Sequence, residues 1–194
     1  SVTFDLIVVV GGPGGYVAAL RASQLGMSVA IVESTHFGGV CLNWGCIPTK
    51  ALLRSSEIHH LLHDLGTFGF SAENVSFDLP KIVARSRGIA RRMGGGIAHL
   101  LKKAKVTTLA GRAKLAGRAG EAHKVSITKD GAEVAVLKSP NVILATGARG
   151  RQLPGLETDG KLIWGAREAM TPAELPKRLL VIGSGAIGIE FASF

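Results

Sequence analysis

FDLIVVVGGPGGYVAALRASQLGMSVAIVE, residues 4–33, contains a strand, a turn, a helix and a second strand in succession. Phe4 to Val10 is a continuous run rich in β-branched residues, the pattern of a strand covered on both faces. Gly11 to Gly15 is a turn, Tyr16 to Leu25 is Ala-rich and helical, Gly26 closes that helix, and Ser28 to Glu33 is the second strand. This is a βαβ unit, so the fold class is α/β with a Rossmann-like parallel sheet. Glu33 ends the second strand about 20 residues after the glycine turn, where a carboxylate in a dinucleotide fold receives ribose hydroxyls. Gly11, Gly12, Gly14 and Gly15 let the helix start approach a pyrophosphate closely, with Gly12, Pro13, Gly14 and Gly15 as the expected cofactor contacts. In the pattern G-x-G-x-x-G, Gly12 and Gly15 fill the second and third glycine positions, but Val10 stands in the first. A β-branched residue there is expected to strain the turn or weaken cofactor binding.

The chain's chemistry concentrates in GGVCLNWGCIPTK, residues 38–50, which holds both cysteines. In an unbroken α-helix, Cα atoms at i and i+5 lie roughly 8 to 9 Å apart, beyond the ~7 Å limit for a disulfide. Cys41 and Cys46 can therefore bridge only if the backbone is distorted between them. Gly38, Gly39, Gly45 and Pro48 supply that freedom, with Pro48 suited to the first turn of a helix continuing through Lys50, Ala51, Leu52 and Leu53. A helix start also favours a thiolate. Spacing alone leaves a redox dithiol, inert packing cysteines and a structural disulfide open. Zinc is the weaker option, because C-x4-C exceeds the usual knuckle spacing and no second Cys or Cys/His pair follows. His59 and His63, at i and i+4, lack an evident third ligand, and no metal is assigned.

The dithiol stretch resembles the active-site signature of the flavoprotein pyridine nucleotide-disulfide oxidoreductases. Leu42, Asn43, Ile47 and Ala51-Leu52-Leu53 most resemble the dihydrolipoamide dehydrogenase branch; glutathione and mercuric reductases tend to carry Val at positions 42 and 47. The resemblance implies FAD and NAD as cofactors. It makes Cys41 the interchange thiol and Cys46 the thiol facing the flavin, within a flavin-contacting set that includes Gly38, Gly39 and Val40. It also implies that Lys50 reaches the flavin N5 region and that Glu190 pairs with it, their charged groups within ~4 Å. Ala113, in Gly111-Arg112-Ala113, corresponds to a backbone contact with adenine. Ala145-Thr146-Gly147 corresponds to the strand end that closes the first FAD-binding segment, with Ala148 where the family usually has Ser.

Between these motifs, Ala51 to Leu65 reads as a helix with Leu52, Leu53, Ile58, Leu61, Leu62 and Leu65 biased to one side. Asp78 caps a long helix in which Ile82, Val83, Ile89, Ala90, Met93, Ile97, Leu100 and Leu101 recur at three and four. Gly94-Gly95-Gly96 within it implies a bend or a close helix contact. From Val106 the period becomes two, and Val125–Ile127 and Val134–Val136 flank the turn Lys129-Asp130-Gly131, a β-meander. After a connection from Arg151 to Pro176 with a short helical piece, Leu179 to Ile182 reads as a strand. It leads into Gly183-Ser184-Gly185-Ala186-Ile187-Gly188, a complete G-x-G-x-x-G. The expected organisation is a first FAD-binding segment over 1–148 and the start of an NAD-binding domain over 149–194, with Gly183, Gly185, Ala186, Ile187 and Gly188 contacting nucleotide.

The chain has 194 residues, a formal net charge of +9 and an apolar share of 46%. Its basic residues are spread out, dense only over Arg85 to Arg92 and Lys102 to Lys105, and both stretches lie on a helical pattern, a solvated face rather than a nucleic-acid surface. SVTFDLIVVV has no cationic start before its apolar run, so it reads as a buried strand rather than a signal peptide or membrane span. Two cysteines and this composition describe an intracellular protein, cytoplasmic or, if eukaryotic, in the mitochondrial matrix. By resemblance the chain is the N-terminal portion of an enzyme that oxidises protein-bound dihydrolipoamide with NAD+. Its partners would be the lipoyl domain and E2 core of 2-oxo acid dehydrogenase complexes and a second copy of itself. The alternatives are a glutathione- or mercuric-reductase-like enzyme and a non-catalytic FAD-binding redox module. The portion alone is expected to be inactive, because the family's catalytic base comes from a C-terminal His-Glu pair and none of the six His here lies in a matching motif.

Overall fold

The computed structural model describes residues 2–194. In chain order its elements are β1 (Val2–Thr3), β2 (Leu6–Val9), α1 (Pro13–Gln24), β3 (Val29–Glu33), α2 (Gly39–Trp44), α3 (Cys46–His63), α4 (Leu79–Lys103), β4 (Thr107–Ala110), β5 (Arg112–Ala119), β6 (Ala122–Lys129), β7 (Ala132–Ser139), β8 (Asn141–Leu144), α5 (Ala166–Met170) and α6 (Ala186–Ser193), with a 3-10 turn at Leu65–Phe68. They form two compact units. One comprises residues up to Asn43 with Arg92–Arg149; the other comprises Trp44–Arg91 with Gly150–Phe194.

The first unit carries both sheets. Four parallel strands lie in the order β4-β3-β2-β8, with Val8 opposite Ile31 on one side and Ile143 on the other. Every residue of β2 and β3 is buried, as an apolar run in the middle of a parallel sheet requires. The second sheet, β1-β7-β6-β5, is the expected meander, with β1 added in parallel. Its β6–β7 turn has positive φ at both Asp130 (51°) and Gly131 (83°), the type I′ geometry that suits strand twist. Ile7, Ala30 and Val32 from the parallel sheet pack with Val125, Ile127 and Leu137 from the meander into one core.

Helix α1 ends as its sequence implies, with Leu25 at the cap and Gly26 at φ 85°. Asp78 Oδ1 accepts the Lys81 N–H at 2.9 Å and caps α4. The glycines of α4 leave the helix continuous. Gly94 serves a close contact instead, since a Cβ there would stand 3.3 Å from the Phe37 carbonyl oxygen.

In the second unit α3 starts at Cys46, and three apolar residues expected on its covered side are exposed: Ile58, Leu61 and Leu62, at 44%, 38% and 38%. Leu179 to Ile182 corrects a second expectation. It forms no strand, and Leu180 is 86% exposed. A β ladder needs a neighbouring strand, and both described sheets are composed of other segments.

Asp5 fixes the entry to the parallel sheet. Its Oδ2 accepts the Ser28 N–H (2.7 Å) and hydroxyl (2.6 Å), and Ser28 Oγ accepts the Asp5 N–H (2.9 Å). These bonds hold the Asp5 carboxyl below its ordinary value of 3.8, chiefly through the Ser28 hydroxyl. A depressed folded pKa contributes stability that is present above the unfolded pKa and lost as pH falls through the folded one. Asp5→Ala should therefore melt below the parent at pH 7, and the gap should close in thermal melts taken progressively below about pH 3.8.

Candidate functional site

Two glycine turns of the first unit meet the segment that leads into the redox stretch. Gly11 N–H donates to Glu33 Oε2 at 2.8 Å, and the Gly11 carbonyl accepts the Gly38 N–H at 2.8 Å. A Cβ on Gly11 would lie 2.4 Å from the Phe37 ring. Gly39 approaches Gly12 just as closely, since its Cβ would fall 2.7 Å from the Gly12 Cα. The backbone thus forms a shallow cradle that side chains would fill.

Glu33 is buried, 7% exposed, at the end of β3. Its Oε1 accepts the Thr35 N–H (2.8 Å) and hydroxyl (3.1 Å), which fixes the carboxylate at the place expected of a ribose acceptor. Each carboxylate oxygen has two acceptor directions, so one, on Oε2, remains for a ribose hydroxyl. Helix α1 has no acidic residue in its first turn and no side-chain cap at Gly12, leaving a positive dipole end suited to an anion. Gly14 packs near Ala145, whose Cβ would be 3.8 Å from a Cβ on that glycine.

A cavity of about 460 Å³ lies along the carboxyl ends of the parallel strands, lined by residues that include Val10, Ser34, Ala113, Thr146 and Gly147. This is where open α/β sheets bind ligands. The glycine cradle, the oriented carboxylate and the cavity fit a dinucleotide such as FAD.

Val10 adopts φ 77°, in the left-handed region that β-branched residues avoid. A Cβ on Gly15 would lie within 1.9 Å of the Val10 carbonyl oxygen. The second motif repeats this geometry with glycine in the first position: Gly183 has φ 104°, and a Cβ on Gly188 would lie 2.7 Å from the Gly183 oxygen. The turn therefore demands a left-handed residue at its first position, and Val10 meets that demand under strain.

Neither cysteine is free, and both are disulfide-bonded; with two in the chain, Cys41 and Cys46 form one bridge. The backbone breaks at Gly45 (φ −157°, ψ −121°), between α2 and α3, so Cys46 becomes the first residue of α3. Val40 is exposed beside Cys41.

In the second unit, Lys50 Nζ stands 3.0 Å from Glu190 Oε1, with the side chains 63% and 26% exposed. An exposed pair of this kind contributes at most about 1 kcal/mol. It fixes position more than it stabilises. Around Trp44, Arg87 stacks 3.8 Å from the ring centroid and Arg167 lies at 5.2 Å. Burial and the charges of Arg91 and Arg167 lower the Arg87 pKa. Gly185 precedes α6, and Ala186, Ile187 and Gly188 form its first turn.

Sequence reasoning placed Gly11 in the glycine turn without its bond to Glu33, and it missed Thr35, Phe37 and the Trp44–Arg87 stack. No motif position gave a signal for the latter three. His59 and His63 bring their Nε2 atoms to 3.2 Å, and no group of three or more potential metal ligands occurs among the described residues. No helix among them is long and apolar enough to cross a membrane.

The pyridine nucleotide-disulphide oxidoreductase family model matches residues 4–194. The chain is 52% identical over 191 residues to the dihydrolipoyl dehydrogenase of Zymomonas mobilis, covering 98% of this chain and 40% of that protein. It is 38% identical over 192 residues to the mitochondrial dihydrolipoyl dehydrogenase of Bos taurus, covering 97% and 37%. The crystal structure of LpdA from Mycobacterium tuberculosis superposes with a TM-score of 0.88 at 28% identity, over 100% of this chain and 43% of that one. The chain thus spans about 40% of the length of the curated relatives it matches.

The strained turn yields a test. Val10→Gly should raise stability by about 1 kcal/mol, strain relief exceeding the added unfolded-state entropy. Gly15→Ala should lower it by about 3 kcal/mol, because its Cβ meets backbone. Denaturant melts measure both.

Proposed function

Because the chain belongs to the pyridine nucleotide-disulphide oxidoreductase family, we propose that its protein is an FAD-dependent dithiol-disulfide oxidoreductase that oxidises protein-bound dihydrolipoamide with NAD+. The observation that carries this reading is the Cys41–Cys46 bridge at the start of α3, in a chain that also builds a dinucleotide cradle. The 52% identity to a protein named dihydrolipoyl dehydrogenase supports this choice of substrate. Residues 1–148 belong to the FAD-binding domain and 149–194 open the NAD-binding domain. The working partners are the lipoyl domain and E2 core of a 2-oxo acid dehydrogenase complex and a second copy of the chain, in the cytoplasm or the mitochondrial matrix.

The disulfide exchange uses the roles that the family resemblance gives the two cysteines. One thiolate of dihydrolipoamide attacks the sulfur of Cys41, and Cys46 leaves as a thiolate. The second substrate thiolate then attacks the substrate sulfur of the mixed disulfide, releasing Cys41 and cyclic lipoamide. Two protons leave the substrate thiols, and two electrons reach the cysteine pair. The leaving group is favoured at Cys46, the first residue of α3, because the N-terminal end of a helix dipole favours negative charge. When bound, FAD supplies a two-electron acceptor that passes those electrons to NAD+. Gly12, Pro13, Gly14, Gly15, Glu33, Gly38, Gly39, Val40, Ala113, Ala145, Thr146 and Gly147 would hold it. Gly183, Gly185, Ala186, Ile187 and Gly188 would hold NAD+. By the family resemblance Lys50 would supply a cation that stabilises negative charge on the flavin, and Glu190, its ion-pair partner, would orient it.

The full-length protein should purify with flavin absorbance; its absence after gentle purification contradicts the reading. Two-electron reduction should produce a long-wavelength thiolate–flavin band that Cys41→Ser keeps and Cys46→Ser abolishes. The reverse pattern exchanges the two roles. A verified 194-residue preparation should show no normal turnover of dihydrolipoamide.

A further inference from the structure

The break before α3 is made by a residue that cannot hold it. Glycine has more backbone freedom than any other residue, Gly45 offers no side-chain cap to α3, and Cys46 after it is exposed. While the bridge is closed, the crosslink limits that freedom. Once the dithiol is reduced the limit is gone, and other contacts have to keep Cys46 at the start of α3.

Within the second unit, α4 supplies those contacts through three consecutive residues. Arg87 stacks on Trp44, immediately before the break, with its Cζ 3.8 Å from the ring centroid. Partial burial of Arg87 strengthens the stack, because a cation that has lost water gains more from a ring face. Ser86 is fully buried and donates its hydroxyl to the Pro48 carbonyl at 3.0 Å, in the first turn of α3. Arg85 Nη1 donates to the Ala51 carbonyl at 2.8 Å, in the next turn. Gly45 is thus flanked by held residues on both sides.

Resting on the reading of Cys41 and Cys46 as the working dithiol, we infer that Arg85, Ser86 and Arg87 are positioning residues, a latch that keeps the open dithiol in the geometry of the closed bridge. The sign of the effect follows from effective concentration. A thiol held in place meets its partner more often than one on a loose segment, so the latch favours the closed bridge and makes it harder to reduce. When the electrons leave the pair, the bridge closes again without a search.

The test is redox titration of the full-length protein in dithiothreitol buffers, with thiols trapped by alkylation and counted by mass spectrometry, a readout independent of flavin. Arg87→Met and Ser86→Ala should each move the equilibrium toward the dithiol about fivefold, a rise of about 20 mV for a two-electron couple. Arg87→Lys, which keeps a cation over the ring, should stay near the parent. In the Trp44→Leu background Arg87→Met should add little, because both changes act through one stack. Thermal melts of the closed and open forms separate positioning from packing. A contact that only packs two helices would lower both melts alike and leave the potential in place, whereas the latch requires the closed form to lose more. Unchanged potential in folded Arg87→Met and Ser86→Ala overturns the inference. So does a shift toward the disulfide, which would make α4 a source of charge for the thiolate instead. If the bridge of the unsubstituted protein does not open and close reversibly, the dithiol reading fails and the latch fails with it.

Discussion

The buried carboxylate of Glu33 is the constraint on which the first unit's site depends. A charge at 7% exposure is tolerated only when fully hydrogen-bonded, and Glu33 obtains its partners from Gly11 on one side and Thr35 on the other. Through Gly11 the same constraint extends further, because the Gly11 carbonyl anchors Gly38. One carboxylate thus sets the end of β3, the turn after β2 and the first residue of the redox stretch. These three places must agree if a dinucleotide is to lie in the cradle.

Close approach rather than side-chain chemistry dominates the rest of the site. Gly12 against Gly39 and Gly15 against the Val10 carbonyl leave no room for a Cβ. The two nucleotide turns share one geometry even though they belong to different units. Gly183 adopts it without penalty, while Val10 holds it with a β-branched side chain. The surrounding contacts of Gly11 and Gly15 are what hold Val10 in that conformation.

Much of this was legible in the sequence because local pattern and long-range packing agree. The β-branched runs of β2 and β3 imply burial on both faces, and the Asp130-Gly131 pair implies its hairpin. Helix dimensions make a break between the cysteines the condition for a bridge, and the bridge itself was implied by the family resemblance. Leu179 to Ile182 misleads for a physical reason: an apolar run signals a strand only when another strand pairs with it. The exposed Ile58, Leu61 and Leu62 mislead likewise, since periodicity names a face but not what covers it. Lys50 and Glu190 lie 140 residues apart in the chain, so no periodicity could join them, and only the family resemblance did. Thr35 was missed, and Gly11 was read only as part of the turn, because their bonds are made to Glu33, whose orientation is tertiary.

Residue-resolved amide hydrogen exchange in Glu33→Ala, compared with the unsubstituted chain, tests the coupling most directly. Gly38 makes no contact with Glu33 in the described bonds and reaches it only through Gly11. Protection at Gly11 and Gly38 should therefore fall together when the carboxylate is removed, while the centre of β2 keeps its protection. Loss at Gly11 with Gly38 still protected would show that the redox stretch is held independently of Glu33, contradicting the account.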